Sequence, residues 1–213
     1  GISAYLGIIL AGGGSTRMGR PKALLPAGDG TFLSRLLVTL DVCPRRVVVA
    51  GAHVEPIRAY LRATPSSQGG LERGEIVVVE NPDPDRGQFS SLQLGLTQRR
   101  GDERGAIITP CDVPLASTTL VPYLIATHQG DPRIGLVVPE YDGNSGHPAL
   151  LDARLFEVLL ASDPRAHTRR AIEAALRATG LGERRQGVDE PLVAVNINTI
   201  DDYQSWLRRD SDA

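Results

Sequence analysis

Residues 10–22, Leu-Ala-Gly-Gly-Gly-Ser-Thr-Arg-Met-Gly-Arg-Pro-Lys, constrain this chain more than any other stretch. They follow an apolar run, Tyr5 to Leu10, that reads as a buried first strand. Three consecutive glycines after a strand let the backbone turn sharply and leave no Cβ in the way of a ligand. Such a loop suits phosphate oxygens, which accept backbone N–H bonds in a concave nest. Arg17 and Lys22 add two positive charges, and Lys22 is the only lysine in the chain. Its compact ammonium is not interchangeable with arginine at a phosphate.

Two familiar glycine loops do not fit. A P-loop needs Lys-Ser/Thr directly after its last glycine, but Gly19 is followed by Arg20 and Pro21, and Lys22 by Ala23. The dinucleotide fingerprint needs a glycine where this chain has Arg17, and an acidic residue at the end of the second strand, where it has Ala50-Gly51. NAD binding is not expected.

Downstream, strands and helices alternate. Helices are expected over 31–40 (Thr31 as N-cap), 55–62, 92–99, 119–128, 153–160, 168–178 and 202–208, the last packed down by Trp206. Strands are expected at 47–50, 76–79, 106–109, 134–139 and 193–197, with 149–151 as a further pairing segment. Residues 64–74 read as a polar loop. That order predicts an α/β fold with a mostly parallel sheet and right-handed crossovers, in a single domain over 1–213. Ligands on such sheets sit beyond the carboxyl ends of the strands. The edge would gather the glycine loop, the segment from Asn81 to Ser90-Ser91, and Asp112 after the fourth strand. Ser90-Ser91 can cap the following helix, and that helix N-terminus can also face a nucleotide. His128 reads as a surface residue favoured by the helix dipole.

Composition removes other classes. In 213 residues, 41% are hydrophobic and 23% charged, and the net charge of −2 offers nothing to nucleic acid or an anionic membrane. No apolar run reaches the ~20 residues of a membrane span. Neither a signal peptide nor metal-spaced cysteines are seen; Cys43 and Cys111 read as free thiols of a cytoplasmic protein.

Residues 10–22 match without a gap the nucleotidyltransferase signature Leu-Ala-x-Gly-x-x-x-Arg-Met-Gly-x-x-Lys. The chain therefore resembles the NTP transferase superfamily, closest to the molybdenum cofactor cytidylyl- and guanylyltransferases. The resemblance implies a three-layer, Rossmann-like sandwich. It places Arg17 and Lys22 on the triphosphate, with Leu10, Ala11, Gly12, Gly13 and Gly14 beside the nucleotide. Asn81, Ser90 and Ser91 fall where the superfamily contacts base and ribose. Asp112, in Asp-Val-Pro, takes the place of the aspartate that binds Mg2+. Asn198, in Asn-Ile-Asn-Thr, stands where the family has an aspartate; its amide oxygen can ligate Mg2+ without contributing charge. Gly146-His147-Pro148 resembles the cytidylyl branch and implies that Tyr141 and His147 contact the acceptor. Asp163-Pro164-Arg165-Ala166 is similar to another element of that branch but lacks its glycines, and Arg169 and Arg170 read as solvated helix arginines.

Base choice is divided: Gly12-Gly13 follows the guanylyl spelling, Ser90-Ser91-Leu92 and Gly146-His147-Pro148 the cytidylyl one. The implied reaction moves a nucleoside monophosphate from CTP or GTP to a phosphorylated acceptor of the molybdopterin type, releasing pyrophosphate. A molybdoenzyme receiving the product is a further implied partner. Two alternatives stand beside it: transfer to a sugar or alditol phosphate, and a non-catalytic nucleotide-binding cofactor chaperone, which Asn196 and Asn198 favour.

Overall fold

The computed structural model describes residues 4–12 and 20–212. Its centre is an eight-stranded sheet. Strand β1 (Tyr5–Ala11) is buried along its whole length, so it reads as one continuous apolar run. The short hairpin strands β2 (Pro26–Ala27) and β3 (Gly30–Thr31) lead into α1 (Phe32–Thr39). As expected, Thr31 caps α1: its Oγ1 accepts from Ser34 N–H at 3.2 Å, and Ser34 Oγ accepts from Thr31 N–H at 2.8 Å. Then follow β4 (Arg45–Ala50), α2 (Val54–Ala63), α3 (Pro65–Glu72) and β5 (Ile76–Glu80). The middle of the chain supplies α4 (Gln88–Leu96), β6 (Gly105–Pro110), α5 (Leu120–Gln129) and β7 (Ile134–Tyr141). It closes with β8 (Asn144–Ser145), β9 (Ala149–Asp152), α6 (Phe156–Leu160), α7 (Thr168–Thr179), β10 (Gly182–Gly187) and α8 (Ile200–Asp212).

The strand order is β10-β7-β9-β6-β1-β4-β5, with β8 hairpinned onto β7. The β10-β7, β6-β1, β1-β4 and β4-β5 pairs are parallel, whereas β9 runs antiparallel to both β6 and β7. Alternation along the strands divides the core in two. Tyr5, Ile9, Val48 and Ala50 face α1, α2 and α5; Leu6, Ile8, Leu10, Val47 and Val49 face α4, α6 and α7. The result is the three-layer sandwich that the family resemblance implies, around the mostly parallel sheet that the element order predicts.

A third, smaller cluster joins distant segments: Leu25, Ala27, Phe32, Ile197 and Trp206. Trp206 meets Phe32 edge-on at 5.4 Å, the Arg35 guanidinium lies 5.3 Å from the Trp206 ring, and Tyr203 Oη donates to Pro26 C=O at 2.7 Å. These contacts pin α8 onto the chain just after Lys22.

Three expectations are corrected. Residues 64–74 are not a loop: Pro65 at the first turn starts α3, and Ser67 Oγ ties it to Leu61 C=O at 2.7 Å. Residues 193–197 form no strand; a 3-10 turn (Pro191–Ala194) is followed by extended chain whose Ile197 N–H donates to Asp112 C=O at 2.7 Å. The final strand is instead β10, Gly-Glu-Arg-Arg-Gln-Gly, a polar edge strand. His128 is not on the surface. It is 5% exposed, with Nδ1 at 2.6 Å from Tyr5 Oη and Nε2 at 2.7 Å from Asp152 Oδ2. Asp152 also accepts from Arg154 Nε at 2.8 Å, and together these partners hold its carboxyl below the usual carboxylate range despite burial.

Candidate active site

The carboxyl ends of β1 and β6 open into a cavity of about 140 Å³ lined by Leu10, Ala11, Lys22, Gln88 and Asp112, among others. Lys22 opens a one-turn 3-10 helix (Lys22–Leu24) whose Ala23 is buried in the core. Asp112 follows β6 at once. Burial pushes its carboxyl above the usual range, and the nearby Lys22 ammonium partly offsets this. Asp112 Oδ1 is buried with no hydrogen-bond partner among the described residues. A buried, unpaired carboxylate oxygen is costly in an empty site.

A second cavity of about 270 Å³ adjoins it through Leu10 and Gln88, and is also lined by Gly12, Pro84, Gly87 and Ser91. Here the backbone comes close. A Cβ on Gly12 would lie 2.8 Å from Ser91 Oγ, and one on Gly51 would lie 2.5 Å from Gly12 C=O. Gly87, at φ 110°, takes a conformation that favours glycine and starts α4 without a side-chain cap. The helix thus begins at Gln88, ahead of the expected Ser90-Ser91 cap, and both serines fall in its first turn. Asn81 is buried and its Nδ2 donates to Ser90 Oγ and Ser91 Oγ, each at 3.0 Å, while Ser90 Oγ donates to Gly87 C=O at 2.6 Å. Ser91 therefore faces the cavity beside Gly12; Asn81 and Ser90 stand behind it and fix its position.

A third cavity, about 640 Å³, begins at Gln88 and runs along β7 and α7. Phe89, Leu136, Val138, Ile172 and Leu176 give it apolar walls, and Arg86, His147, Arg165, His167 and Arg169 ring it with nitrogen groups. Arg169 is engaged by Glu173 at 3.3 Å and Glu183 at 3.9 Å. Arg165 makes no ion pair among the described residues. His147 is held through its backbone N–H, which donates to Val193 C=O at 3.0 Å, and burial lowers its imidazole pKa.

Sequence expectations therefore meet at this edge for Leu10, Ala11, Gly12, Lys22, Ser91, Asp112 and His147. Gly13, Gly14 and Arg17 lie outside the described residues. Tyr141 packs against the main core and does not line the large cavity. Asn198 is exposed, placed alongside Asp112 by the Ile197–Asp112 backbone bond, and its N–H donates to Asp202 Oδ2 at 3.0 Å. Sequence reading assigned no role to Gly51, Arg86, Gln88, Arg165 or His167, although Gln88 lies in the segment from Asn81 to Ser91 and Arg165 in the Asp163–Ala166 element that the sequence had singled out.

Among the described residues no cluster of three or more His, Cys, Asp or Glu side chains could hold a metal, and no helix is long and apolar enough to cross a membrane. The arrangement can seat a polyanion between Lys22 and the backbone of β1, with a second substrate entering from the large cavity.

Comparison with known proteins agrees with this geometry. A probable molybdenum cofactor guanylyltransferase of Haloferax mediterranei is 29% identical over 207 residues, covering 95% of this chain and 93% of that protein. The molybdenum cofactor cytidylyltransferase of Escherichia coli is 25% identical over 151 residues, covering 70% of this chain and 71% of that protein. The crystal structure of Rv0371c from Mycobacterium tuberculosis H37Rv superposes with a TM-score of 0.72 at 26% identity, covering 97% of this chain and 98% of that one. The family model of the MobA-like NTP transferase domain matches residues 7–181. With that match spanning most of its length, the chain belongs to the MobA-like NTP transferase family, a family of nucleotidyltransferases.

Proposed function

We propose that the protein transfers a nucleoside monophosphate from GTP or CTP to the phosphate of molybdopterin or its metal-loaded form, releasing pyrophosphate. The observation that carries this reading is the convergence of Lys22 and Asp112 at the strand ends, in a cavity that shares Gln88 with a large acceptor-sized one. The triphosphate lies over Leu10, Ala11 and Gly12, with Ser91 and Gly87 beyond. The acceptor occupies the large cavity: apolar walls suit a flat ring system, and Arg165, Arg86 and His147 suit its anionic end.

The acceptor phosphate oxygen attacks the α-phosphorus. The bond to the β-phosphate oxygen breaks, and its electron pair leaves with pyrophosphate. A phosphate monoester is already anionic near neutral pH, so no general base is required. Catalysis is then positioning and charge stabilisation. Lys22 neutralises charge on the departing phosphates, and the family signature gives Arg17 the same task. His147, kept neutral by burial, accepts or donates a hydrogen bond without adding charge.

The Asp112 carboxylate, with Oδ1 buried and unpaired, fits one inner ligand of Mg2+. That fits an ion held by one or two carboxylates plus substrate phosphates, the usual arrangement for Mg2+ at triphosphates. The amide oxygen of Asn198 is the second candidate ligand. Bound there, Mg2+ would supply charge neutralisation to the transferring phosphate.

Two observations bear on the base. The guanylyl relative, matched over 93% of its length, and the close Gly12–Ser91 approach, where an alanine would have to displace the Ser91 hydroxyl, support GTP. The placement of His147 on the acceptor cavity supports the cytidylyl resemblance of its loop.

The test is pyrophosphate release from each of GTP, CTP, UTP and ATP with Mg2+ and molybdopterin, and with sugar and alditol phosphates as alternative acceptors. Release with one triphosphate and molybdopterin only, lost in Asp112→Ala, is the expected result. Release with a sugar or alditol phosphate instead would overturn the acceptor, and magnesium-independent binding without turnover would favour the chaperone role.

A further inference from the structure

Gln88 lines all three cavities: the one holding Lys22 and Asp112, the one beside Gly12 and Ser91, and the large one with His147 and Arg165. Among the described residues no other side chain lines all three. It is the first residue of α4, and its backbone is fixed on both sides. Gly87 sets the turn at φ 110°, and Phe89 is buried in the core. The Gln88 side chain is exposed to the cavities, and its amide makes no hydrogen bond to any described residue.

We propose that Gln88 is the catalytic residue that touches both substrates, its side-chain amide holding the transferring phosphoryl group where the acceptor oxygen meets the triphosphate. This rests on the nucleotidyl-transfer reading above. A primary amide presents two donors and an acceptor on one group, so it can serve a phosphate oxygen on one side and the acceptor on the other. It does this without charge. Lys22 and Asp112 already place opposite charges at this edge, and two anionic substrates must approach each other there. A neutral donor stabilises oxygens whose charge is redistributed as the new P–O bond forms and the old one breaks. A carboxylate would repel both. Gln88 takes no proton and leaves none; the electron pair departs with pyrophosphate.

A group that acts on the transferring phosphate more strongly in the transition state than in either bound substrate lowers kcat more than it raises KM. The experiment compares wild type, Gln88→Ala and Gln88→Glu in pyrophosphate release with GTP or CTP and molybdopterin. It measures kcat and both KM values, with thermal unfolding as a control. Gln88→Ala is expected to lower kcat on the order of 10²-fold, the usual scale for one lost transition-state donor, with both KM values changed less than fivefold. Gln88→Glu, nearly the same shape, is expected to fall further. Both should unfold at the wild-type temperature.

A Gln88→Ala kcat within twofold of wild type overturns the proposal. So does a change confined to one substrate's KM, which would assign Gln88 to a single cavity. If the wild type itself releases no pyrophosphate with any pairing, the transfer reading fails instead. Calorimetric binding of GTP, CTP and molybdopterin to wild type and Gln88→Glu then decides the residue. Weakened binding of both a triphosphate and molybdopterin retains Gln88 as the shared contact, and wild-type binding of either one discards it.

Discussion

Gly51 faces Gly12 so closely that a Cβ on Gly51 would sit 2.5 Å from the Gly12 carbonyl oxygen. The end of β4 thereby serves as a backstop for the backbone that lines the nucleotide cavity. Gly51→Ala must push that backbone, which cannot yield as a flexible side chain would. It is expected to cost about 1–3 kcal/mol of stability, the scale of overpacking, and to raise the KM for the triphosphate. Chemical denaturation and steady-state kinetics on the same preparation read both effects.

Asp112 combines a catalytic expectation with a stability one. Its carboxyl is pushed up by burial, so over the window from its ordinary value to its raised one the native state binds more protons than the unfolded chain. Stability therefore falls as pH rises through that window, and the ionised form is carried at a cost near neutral pH. Asp112→Asn is expected to unfold at or above the wild-type temperature at pH 7 while losing at least about 10²-fold in kcat. A destabilised Asp112→Asn would show that the carboxylate has a partner the structure lacks.

Arg165 lines the large cavity without an ion pair among the described residues, while Arg169 is already engaged by two glutamates. Arg165→Ala is expected to raise the acceptor KM about 10- to 100-fold, from the ~1.5–3 kcal/mol of a charged hydrogen bond, and to leave the triphosphate KM unchanged. Arg169→Ala should change both less than Arg165→Ala does. An equal effect of Arg165→Ala on both KM values would remove it from the acceptor end.

The fold was legible where local chemistry and tertiary role agree. The continuous apolar runs of β1, β4 and β6, the Thr31 cap and the buried Trp206 all follow from patterns within a few residues. The failures have physical reasons. Strand β10 carries Glu183, Arg184, Arg185 and Gln186, because an edge strand needs only backbone pairing on one side and can remain polar. Helix α3 is rich in serine and glycine, and tertiary contacts through Ser67 outweigh its weak propensity. His128 could not be placed from sequence, since Tyr5 and Asp152 lie 123 and 24 residues away. At the site, Asp112 and Lys22 were readable from motif and position. Gln88 lay in a segment singled out by resemblance, but its own position where three cavities meet depends on the packing of distant elements.

The buried Tyr5–His128–Asp152 chain touches none of the cavities described, so its loss should separate stability from chemistry. Asp152→Ala is expected to cost about 3–5 kcal/mol, the scale of leaving a buried partner unpaired, with kcat unchanged in the folded fraction. Because the Asp152 carboxyl is held below its ordinary value, its contribution is present above the usual carboxylate range and is lost as pH falls below it. Asp152→Asn should accordingly be less stable than wild type at pH 7, by an amount that shrinks as pH falls below the usual carboxylate range. Urea melts at pH 7 and pH 4 measure the difference.

The small cluster around Trp206 has a consequence for how the site is held together. Ile197 and Trp206, near the end of the chain, close over Leu25, Ala27 and Phe32, which follow Lys22 almost directly. The backbone bond from Ile197 N–H to Asp112 C=O adds Asp112 to the same knot. In the finished fold the segments carrying Lys22 and Asp112 thus share one tether outside the sheet, and the strand ladders can stay paired while that tether is undone.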